Sequence, residues 1–171
     1  AGALGPTGML ISSSDPTLSK ITFDELAELY REQTVALVEG GADLLLIETS
    51  QDLLEIKAAI AGITRAFKSG TPRVPIQAQS TLDITGRMLL GTDIAAVAAT
   101  LDALPISVIG LNCSTGPGYM REAARYLVEN SRCYVSVIPN AGLPQMGPRG
   151  ETIYPEEPEE MAEALGGFVR Y

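Results

Sequence analysis

One segment of this 171-residue chain ends an apolar run in side chains that can do chemistry. Val108-Ile109-Gly110-Leu111 is followed by Asn112 and Cys113, an amide and a thiol, and then by small polar residues. Such an apolar run is typical of a buried parallel strand. Functional groups of α/β proteins lie at the carboxyl ends of these strands, because the strand fixes the side chain while the next loop admits a ligand. Cys113 is therefore the first candidate for a functional group, the alternative being a small buried side chain without a role.

A carboxylate ends another apolar run. Glu48 follows residues 43–47, and Thr49 comes next. A carboxylate at the end of a buried strand is costly unless it has a partner. We expect either a functional role for Glu48 or, alternatively, a salt bridge or a cap on the helix that begins near residue 51.

Other polar residues at predicted strand ends are weaker candidates. Asn112 is expected to orient the loop that carries Cys113 or to serve only as a strand-end turn residue. Asn140, in a proline-flanked turn, and Thr7, after Gly5-Pro6, are candidates for the rim of a site. Asp83 and Arg87 are expected to form an ion pair within a loop.

Composition narrows the chemistry. The chain has no histidine, which excludes histidine-activated serine or cysteine nucleophiles and histidine-containing metal sites. A net charge of −9 argues against nucleic acid or an acidic membrane surface as a partner. No apolar run approaches the ~20 residues of a membrane span. Two cysteines are too few for a disulfide framework, which favours a reducing compartment, the cytoplasm.

The elements that must position these side chains alternate along the chain. The pattern predicts strands over residues 1–4, 43–47, 74–80, 107–111 and 133–138, and helices over 22–39, 51–68, 92–103, 117–130 and from about 158, with a loop over 9–21. Strands separated by helices predict right-handed βαβ units and a parallel sheet. The sheet could be an open doubly wound one or part of an eight-stranded barrel, and the short chain slightly favours the open sheet.

Four segments carry a specific resemblance, in order and over essentially the whole chain. They are Gly5-Pro6-Thr7, residues 38–49, Gly110-Leu111-Asn112-Cys113 and the Pro-Asn-Ala-Gly-Leu-Pro sequence at 139–144. Together they resemble the homocysteine-binding domain of the zinc-dependent homocysteine S-methyltransferase family, and the last segment points to the cobalamin-dependent methionine synthase branch. The resemblance implies an α/β fold, a parallel (β/α)8 TIM-type barrel. Residues 1–171 are expected to form an incomplete barrel of about five βα units, strands three to seven of the family.

The resemblance also implies roles for individual residues. Cys113 matches one of three cysteines that bind Zn²⁺, while the other two, an adjacent pair after the eighth strand, have no match here. Glu48 matches the residue that holds the ammonium group of homocysteine, and Asn112, Asn140 and Thr7 are expected to contact substrate. The parent protein is expected to transfer a methyl group to homocysteine, giving methionine, from methylcobalamin presented by a cobalamin-binding module of the same or another chain. No residue of this chain is expected to act as a catalytic acid or base.

Two other interpretations remain open. Because two zinc-ligand cysteines are absent, the isolated chain is expected to be inactive and to be a non-catalytic, metal-free fragment of the barrel. Such a fragment would fold partly or by self-association, since open strand edges and an apolar interior would be exposed. The third interpretation is an unrelated α/β enzyme that uses Glu48 and Asp83.

Overall fold

The computed structural model describes residues 1–9, 11 and 20–171, so residues 10 and 12–19 of the loop predicted over 9–21 lie outside the described residues. Strands and helices alternate along the chain. The strands are β1 (Gly2–Leu4), β2 (Leu45–Ser50), β3 (Ile76–Ser80), β4 (Val108–Asn112), β5 (Tyr134–Ile138), β6 (Gln145–Met146) and β7 (Thr152–Ile153). The helices are α1 (Phe23–Glu39), α2 (Leu53–Lys68), α3 (Ile94–Leu101), α4 (Pro117–Asn130) and α5 (Pro158–Phe168). None of the described helices is both long and apolar enough to cross a membrane.

Strands β1 to β5 form one parallel sheet, in the order β1-β2-β3-β4-β5. Each strand lies beside its predecessor in the chain, and the order never reverses. A doubly wound sheet needs such a reversal, which sends helices to both faces. Right-handed crossovers in a constant direction instead place all the helices on one face, as in a barrel. The slight preference of the sequence pattern for an open doubly wound sheet is therefore wrong, and the incomplete barrel is confirmed.

Local sequence signals explain where the helices begin. Thr22 caps α1 in a reciprocal capping box, in which Glu25 N–H donates to Thr22 Oγ1 at 3.2 Å and Thr22 N–H donates to Glu25 Oε2 at 2.9 Å. Asp52 caps α2 by accepting from Leu54 N–H at 2.9 Å. Gly62 lets α2 pack closely on α1, because a Cβ there would lie 2.3 Å from the Ala27 carbonyl oxygen.

The two faces of the sheet differ in chemistry because strand side chains alternate. The face under the helices is apolar, and its residues in the three central strands belong to the hydrophobic core: Leu45, Ile47, Ile76, Ala78, Ile109 and Leu111. The opposite face, here called the inner face, carries the alternate residues Leu46, Glu48, Gln77, Gln79, Gly110 and Ser136. The inner face is therefore more polar than the face under the helices.

Two local features differ from the sequence prediction. The short antiparallel hairpin of β6 and β7 was not predicted, because two-residue strands carry no periodicity. The expected Asp83–Arg87 ion pair is wrong. Arg87 lies 3.8 Å from Asp93 and donates to the Gly91 carbonyl at 2.7 Å, whereas Asp83 accepts from Thr85 N–H at 2.7 Å. The Asp83 carboxylate instead accepts a hydrogen bond from the backbone of its own turn, a local bond that short polar side chains form readily.

Candidate functional site

The carboxyl ends of the parallel strands bring the candidate residues to one edge of the sheet. Glu48 and Thr49 lie at the end of β2, Thr81 follows β3, and Asn112 and Cys113 end β4. Backbone bonds hold this edge together: Thr81 N–H donates to the Ser50 carbonyl at 2.8 Å, and Cys113 N–H donates to the Ile138 carbonyl at 3.1 Å. The strand end that carries Glu48 and the strand end that carries Cys113 therefore lie at the same edge of the sheet.

Asn112 joins two strands that are not neighbours. Its Oδ1 accepts from Thr49 N–H and its Nδ2 donates to Thr49 Oγ1, both at 2.9 Å, so the carboxamide of β4 bonds twice to the end of β2 across β3. Thr81 of the intervening strand end also takes part, since its hydroxyl donates to the Asn112 carbonyl at 2.9 Å. The side chain of Asn112 is only 6% exposed. We call this pair of side-chain bonds the Asn112–Thr49 bridge.

Backbone strain is concentrated at the same edge. Within the described part of the chain, the non-glycine residues with positive φ are Thr49 at 57°, Cys113 at 63° and Ser114 at 66°. Each such residue costs on the order of 1–3 kcal/mol and persists only where surrounding contacts hold it. The Asn112–Thr49 bridge and the Cys113 backbone bond supply such contacts. This clustering of strain favours a functional role for the edge.

Cys113 is the metal ligand predicted from the sequence, and the part of the chain that the structure describes does not complete a metal site around it. Its side chain is partly exposed and in the free thiol form. Among residues 1–9, 11 and 20–171, no group of three or more His, Cys, Asp and Glu side chains could hold a metal ion. The other cysteine, Cys133, precedes β5 and so lies at the opposite end of the sheet. A cysteine thiolate is a soft ligand of the kind that zinc binds well, so Cys113 stays a candidate for a single zinc ligand.

Glu48 lies on the inner face, beside the thiol-bearing edge. Its side chain is partly buried and makes no hydrogen bond or ion pair to another described residue. The expected alternatives, a salt bridge or a cap on the next helix, are not seen in the described part, where Asp52 caps that helix instead. Among the described residues, then, neither expected partner of this carboxylate is found.

Thr7 is held by a buried glutamate of α2. Both its N–H and its hydroxyl donate to Glu55 Oε1 at 2.8 Å. Glu55 lies in the first turn of α2, is 5% exposed, and also accepts from the Tyr30 hydroxyl at 3.2 Å. Burial and the neighbouring Glu55 carboxylate raise the pKa of Tyr30 above its usual range. Sequence reasoning missed Glu55 and Tyr30, and only the burial cost of a lone glutamate on an apolar helix face could have indicated them.

A second missed group lies deeper on the inner face. Gln77 and Gln79 both donate to Ser136 Oγ, at 3.1 and 2.9 Å. These bonds cross β4 at Gly110, where a Cβ would lie 2.2 Å from the Ser136 carbonyl oxygen. Asn140, the last sequence candidate, donates its backbone N–H to the Thr115 carbonyl at 3.0 Å and lies beyond β5 at the same edge.

Comparison with known proteins gives consistent results. A sequence model of the family described as homocysteine S-methyltransferase matches residues 1–171. Over 168 residues the chain is 43% identical to a methionine synthase of Mycobacterium leprae, covering 98% of this chain and 13% of that protein. A methionine synthase of Mycobacterium tuberculosis is likewise 43% identical over 168 residues, with 98% and 14% coverage. The chain therefore spans only a small part of the length of these relatives.

Solved structures agree with the fold. The homocysteine methyltransferase MmuM from Escherichia coli, in its apo form, superposes with a TM-score of 0.65 at 26% identity, covering 82% of this chain and 48% of that one. The metallated form of the same enzyme gives a TM-score of 0.55 at 26% identity, with coverage of 68% and 40%.

Proposed function

This chain belongs to the homocysteine S-methyltransferase family, and we propose that it supplies part of the barrel that binds homocysteine and prepares its sulfur to accept a methyl group. The observation that carries the proposal is the shared edge at which Glu48 and Cys113 lie, linked through the Asn112–Thr49 bridge. The resemblance to the family implies that the whole chain corresponds to strands three to seven of the family barrel and their helices.

Glu48 is proposed to bind the α-ammonium group of homocysteine. Its carboxylate faces the inner side of the sheet and has no partner among the described residues. A partly buried carboxylate that meets a ligand cation forms a charge-assisted hydrogen bond, stronger than a neutral one. Asn140 and Thr7 are proposed to border the same substrate, through the turn after β5 and the loop after β1.

Cys113 is proposed to be one thiolate ligand of a zinc ion, with the remaining ligands lying outside these 171 residues. When bound, zinc lowers the pKa of a substrate thiol, so that homocysteine is held as a thiolate at neutral pH. That chemistry suits a chain without histidine. The metallated form of the Escherichia coli relative supports a metal in this family.

The methyl transfer is proposed to be a direct displacement, with methylcobalamin on another module as donor. Such a donor would supply the methyl group and would keep the electron pair of the broken bond, while residues of this chain would hold the homocysteine sulfur in line with the methyl carbon. Such a step depends on alignment more than on acid or base catalysis. The residues of this chain therefore act by binding and orienting homocysteine. Both cysteines are free, which supports a reducing compartment, and we propose the cytoplasm.

The experiment measures zinc content and methionine formation in the full-length protein that carries this chain, as wild type and as Cys113→Ser. We expect stoichiometric zinc and activity in the wild type, and loss of both in the variant. Unchanged zinc and activity in Cys113→Ser would remove the proposed role of the thiol.

We further propose that the isolated 171 residues are inactive and metal-free, because a single thiolate cannot retain zinc. The exposed apolar side chains Tyr134, Ile138 and Met146, which are 82%, 51% and 86% exposed, favour self-association of such a fragment. Elemental analysis and light scattering test this. Stoichiometric zinc in a monomeric isolated chain would contradict it.

A further inference from the structure

We propose that the Asn112–Thr49 bridge is a positioning device that sets the distance between Glu48 and Cys113, and thereby makes the site selective for thiols that carry an α-ammonium group. The inference rests on the function proposed above. It assigns Asn112 and Thr49 to holding the groups that meet substrate, rather than to meeting substrate themselves.

The bridge is attached next to both functional candidates. Thr49 directly follows Glu48, and Asn112 directly precedes Cys113. The two bonds thus tie the residue beside the carboxylate to the residue beside the thiol, across a strand that separates them. A displacement of either strand end would be transmitted to the other through one short side chain.

The bridge also lies beside residues whose backbone is strained. Thr49 has a φ of 57° and Cys113 a φ of 63°, both unusual for side-chain-bearing residues. The Thr49 N–H is fixed by Asn112 Oδ1 at 2.9 Å. Without this bond a β-branched residue gains by returning to negative φ, which rotates the peptide that joins it to Glu48. The orientation of the carboxylate therefore depends on Asn112.

The proposed ligand has two ends that the site must bind together. Homocysteine has an ammonium group and a sulfur separated by a short carbon chain, so a site that binds both ends must present its two groups at a fixed separation. A misplacement of about 1 Å can cost on the order of 100-fold in rate. A thiol without the ammonium group binds at one end only and does not depend on that separation.

The test compares two substrates in the full-length protein. Homocysteine is compared with 4-mercaptobutanoate, which has the same skeleton without the ammonium group. Thr49→Val keeps the shape of the side chain and removes the oxygen that accepts from Asn112, while Thr49→Ser keeps the hydroxyl. Thr34→Val is the matched control, because it removes a fully buried threonine hydroxyl that donates only to the Tyr30 carbonyl in α1.

We expect Thr49→Val to lower kcat/KM for homocysteine by about 10-fold, the loss of one buried hydrogen bond, with less than about a 2-fold change for 4-mercaptobutanoate. Thr49→Ser should restore the preference for homocysteine, and Thr34→Val should leave the ratio of the two substrates unchanged. Equal losses for both substrates in Thr49→Val, or no loss, would overturn the inference while leaving the proposed function intact. A wild-type protein that does not convert homocysteine would instead overturn the proposed function, and the inference with it.

A measurement without metal or substrate provides a second readout. In the metal-free protein we expect Asn112→Leu to raise the hydrogen-exchange rate of the Thr49 N–H by about 10-fold or more, with the Thr81 N–H still protected by Ser50. Unchanged exchange at Thr49 would show that the bridge does not hold this strand end, and would overturn the inference.

Discussion

The two cysteines of this chain lie at opposite ends of neighbouring strands; both are free and partly exposed, but their backbone conformations and hydrogen bonds differ. Cys113 follows β4, adopts positive φ and donates no side-chain hydrogen bond to a described residue. Cys133 precedes β5, donates its N–H to Ser131 Oγ at 3.1 Å, and has its sulfur 3.7 Å from the Ile106 carbonyl oxygen. Burial, and then the nearby Asp102 carboxylate, raise the pKa of the Cys133 thiol. The Cys133 side chain thus has contacts within the protein, whereas the Cys113 side chain makes no hydrogen bond to a described residue.

The environment of Cys133 extends into a cluster that closes the amino end of the sheet. Asp102, at the end of α3, accepts from the Ser131 hydroxyl at 2.6 Å and from Arg132 N–H at 3.2 Å, while Arg132 also donates to the Asp102 carbonyl at 2.8 Å. These bonds join the end of α3 to the turn before β5. In barrels of parallel strands the amino end serves stability and the carboxyl end serves chemistry, and the proposed roles of the two cysteines follow that division.

The largest expected effect separates the two thiols directly. In the full-length protein, Cys113→Ser should abolish zinc retention and lower methionine formation by at least about 100-fold, since a hydroxyl is a poor zinc ligand. Cys133→Ser should change either quantity by less than about 2-fold, because that side chain lies at the far end. Zinc analysis and initial rates check both variants. Similar losses in the two would break the division between the ends.

Glu48 gives the next largest effect. Glu48→Gln keeps the shape of the side chain and removes its charge, so the KM for homocysteine should rise by about 10- to 100-fold, as expected for the loss of a charge-assisted hydrogen bond. The KM for 4-mercaptobutanoate should not rise. Steady-state kinetics on both substrates distinguish a substrate contact from a folding defect, which would affect both.

At the amino end, a comparable substitution should cost stability and not activity. Asp102→Ala removes the acceptor of the Ser131 and Arg132 donors and should lower the free energy of unfolding by about 1–3 kcal/mol. The KM for homocysteine should stay at the wild-type value. Urea unfolding and kinetics on the same preparation test this, and a raised KM would show that the two ends are coupled.

The smallest effect is a dependence of stability on alkaline pH. The pKa of Cys133 is raised above 9.0, so the folded state retains a proton that the unfolded state loses. This contribution to stability is complete below about pH 9 and is lost as the pH rises through the folded-state pKa. Cys133→Ala should therefore lose less stability than the wild type between pH 8 and pH 10, as measured by urea unfolding. An identical pH dependence in both proteins would contradict the raised pKa.

Much of the fold could be predicted from the sequence because its signals are local. The helices predicted over 22–39 and 51–68 correspond to α1 and α2, which Thr22 and Asp52 cap, and the bounds predicted for α4 agree with the structure. The direction of winding could not be predicted, because a βαβ repeat fits an open sheet and a barrel equally well. Only the strand order, or a resemblance to a known barrel, distinguishes them.

The site was predictable to the level of its edge but not of its contacts. Parallel strands send their carboxyl ends to one side, so the location of Glu48, Asn112 and Cys113 at one edge of the sheet followed from two apolar runs. The hydrogen-bond partners of these residues could not be predicted from the sequence. Thr49 and Asn112 are 63 residues apart, and Thr7 and Glu55 are 48 apart, and no periodicity links residues at such separations.

The separation of 63 residues between Thr49 and Asn112 also has a consequence for biosynthesis. At about 5–20 residues per second, a ribosome adds the second partner roughly 3–13 s after the first. During that interval the end of β2 lacks the contact that holds its left-handed residue, and β3 must dock before a side chain of β4 can reach across it. The geometry proposed for binding homocysteine is therefore completed only when β4, which also supplies Ile109 and Leu111 to the hydrophobic core, has joined the sheet.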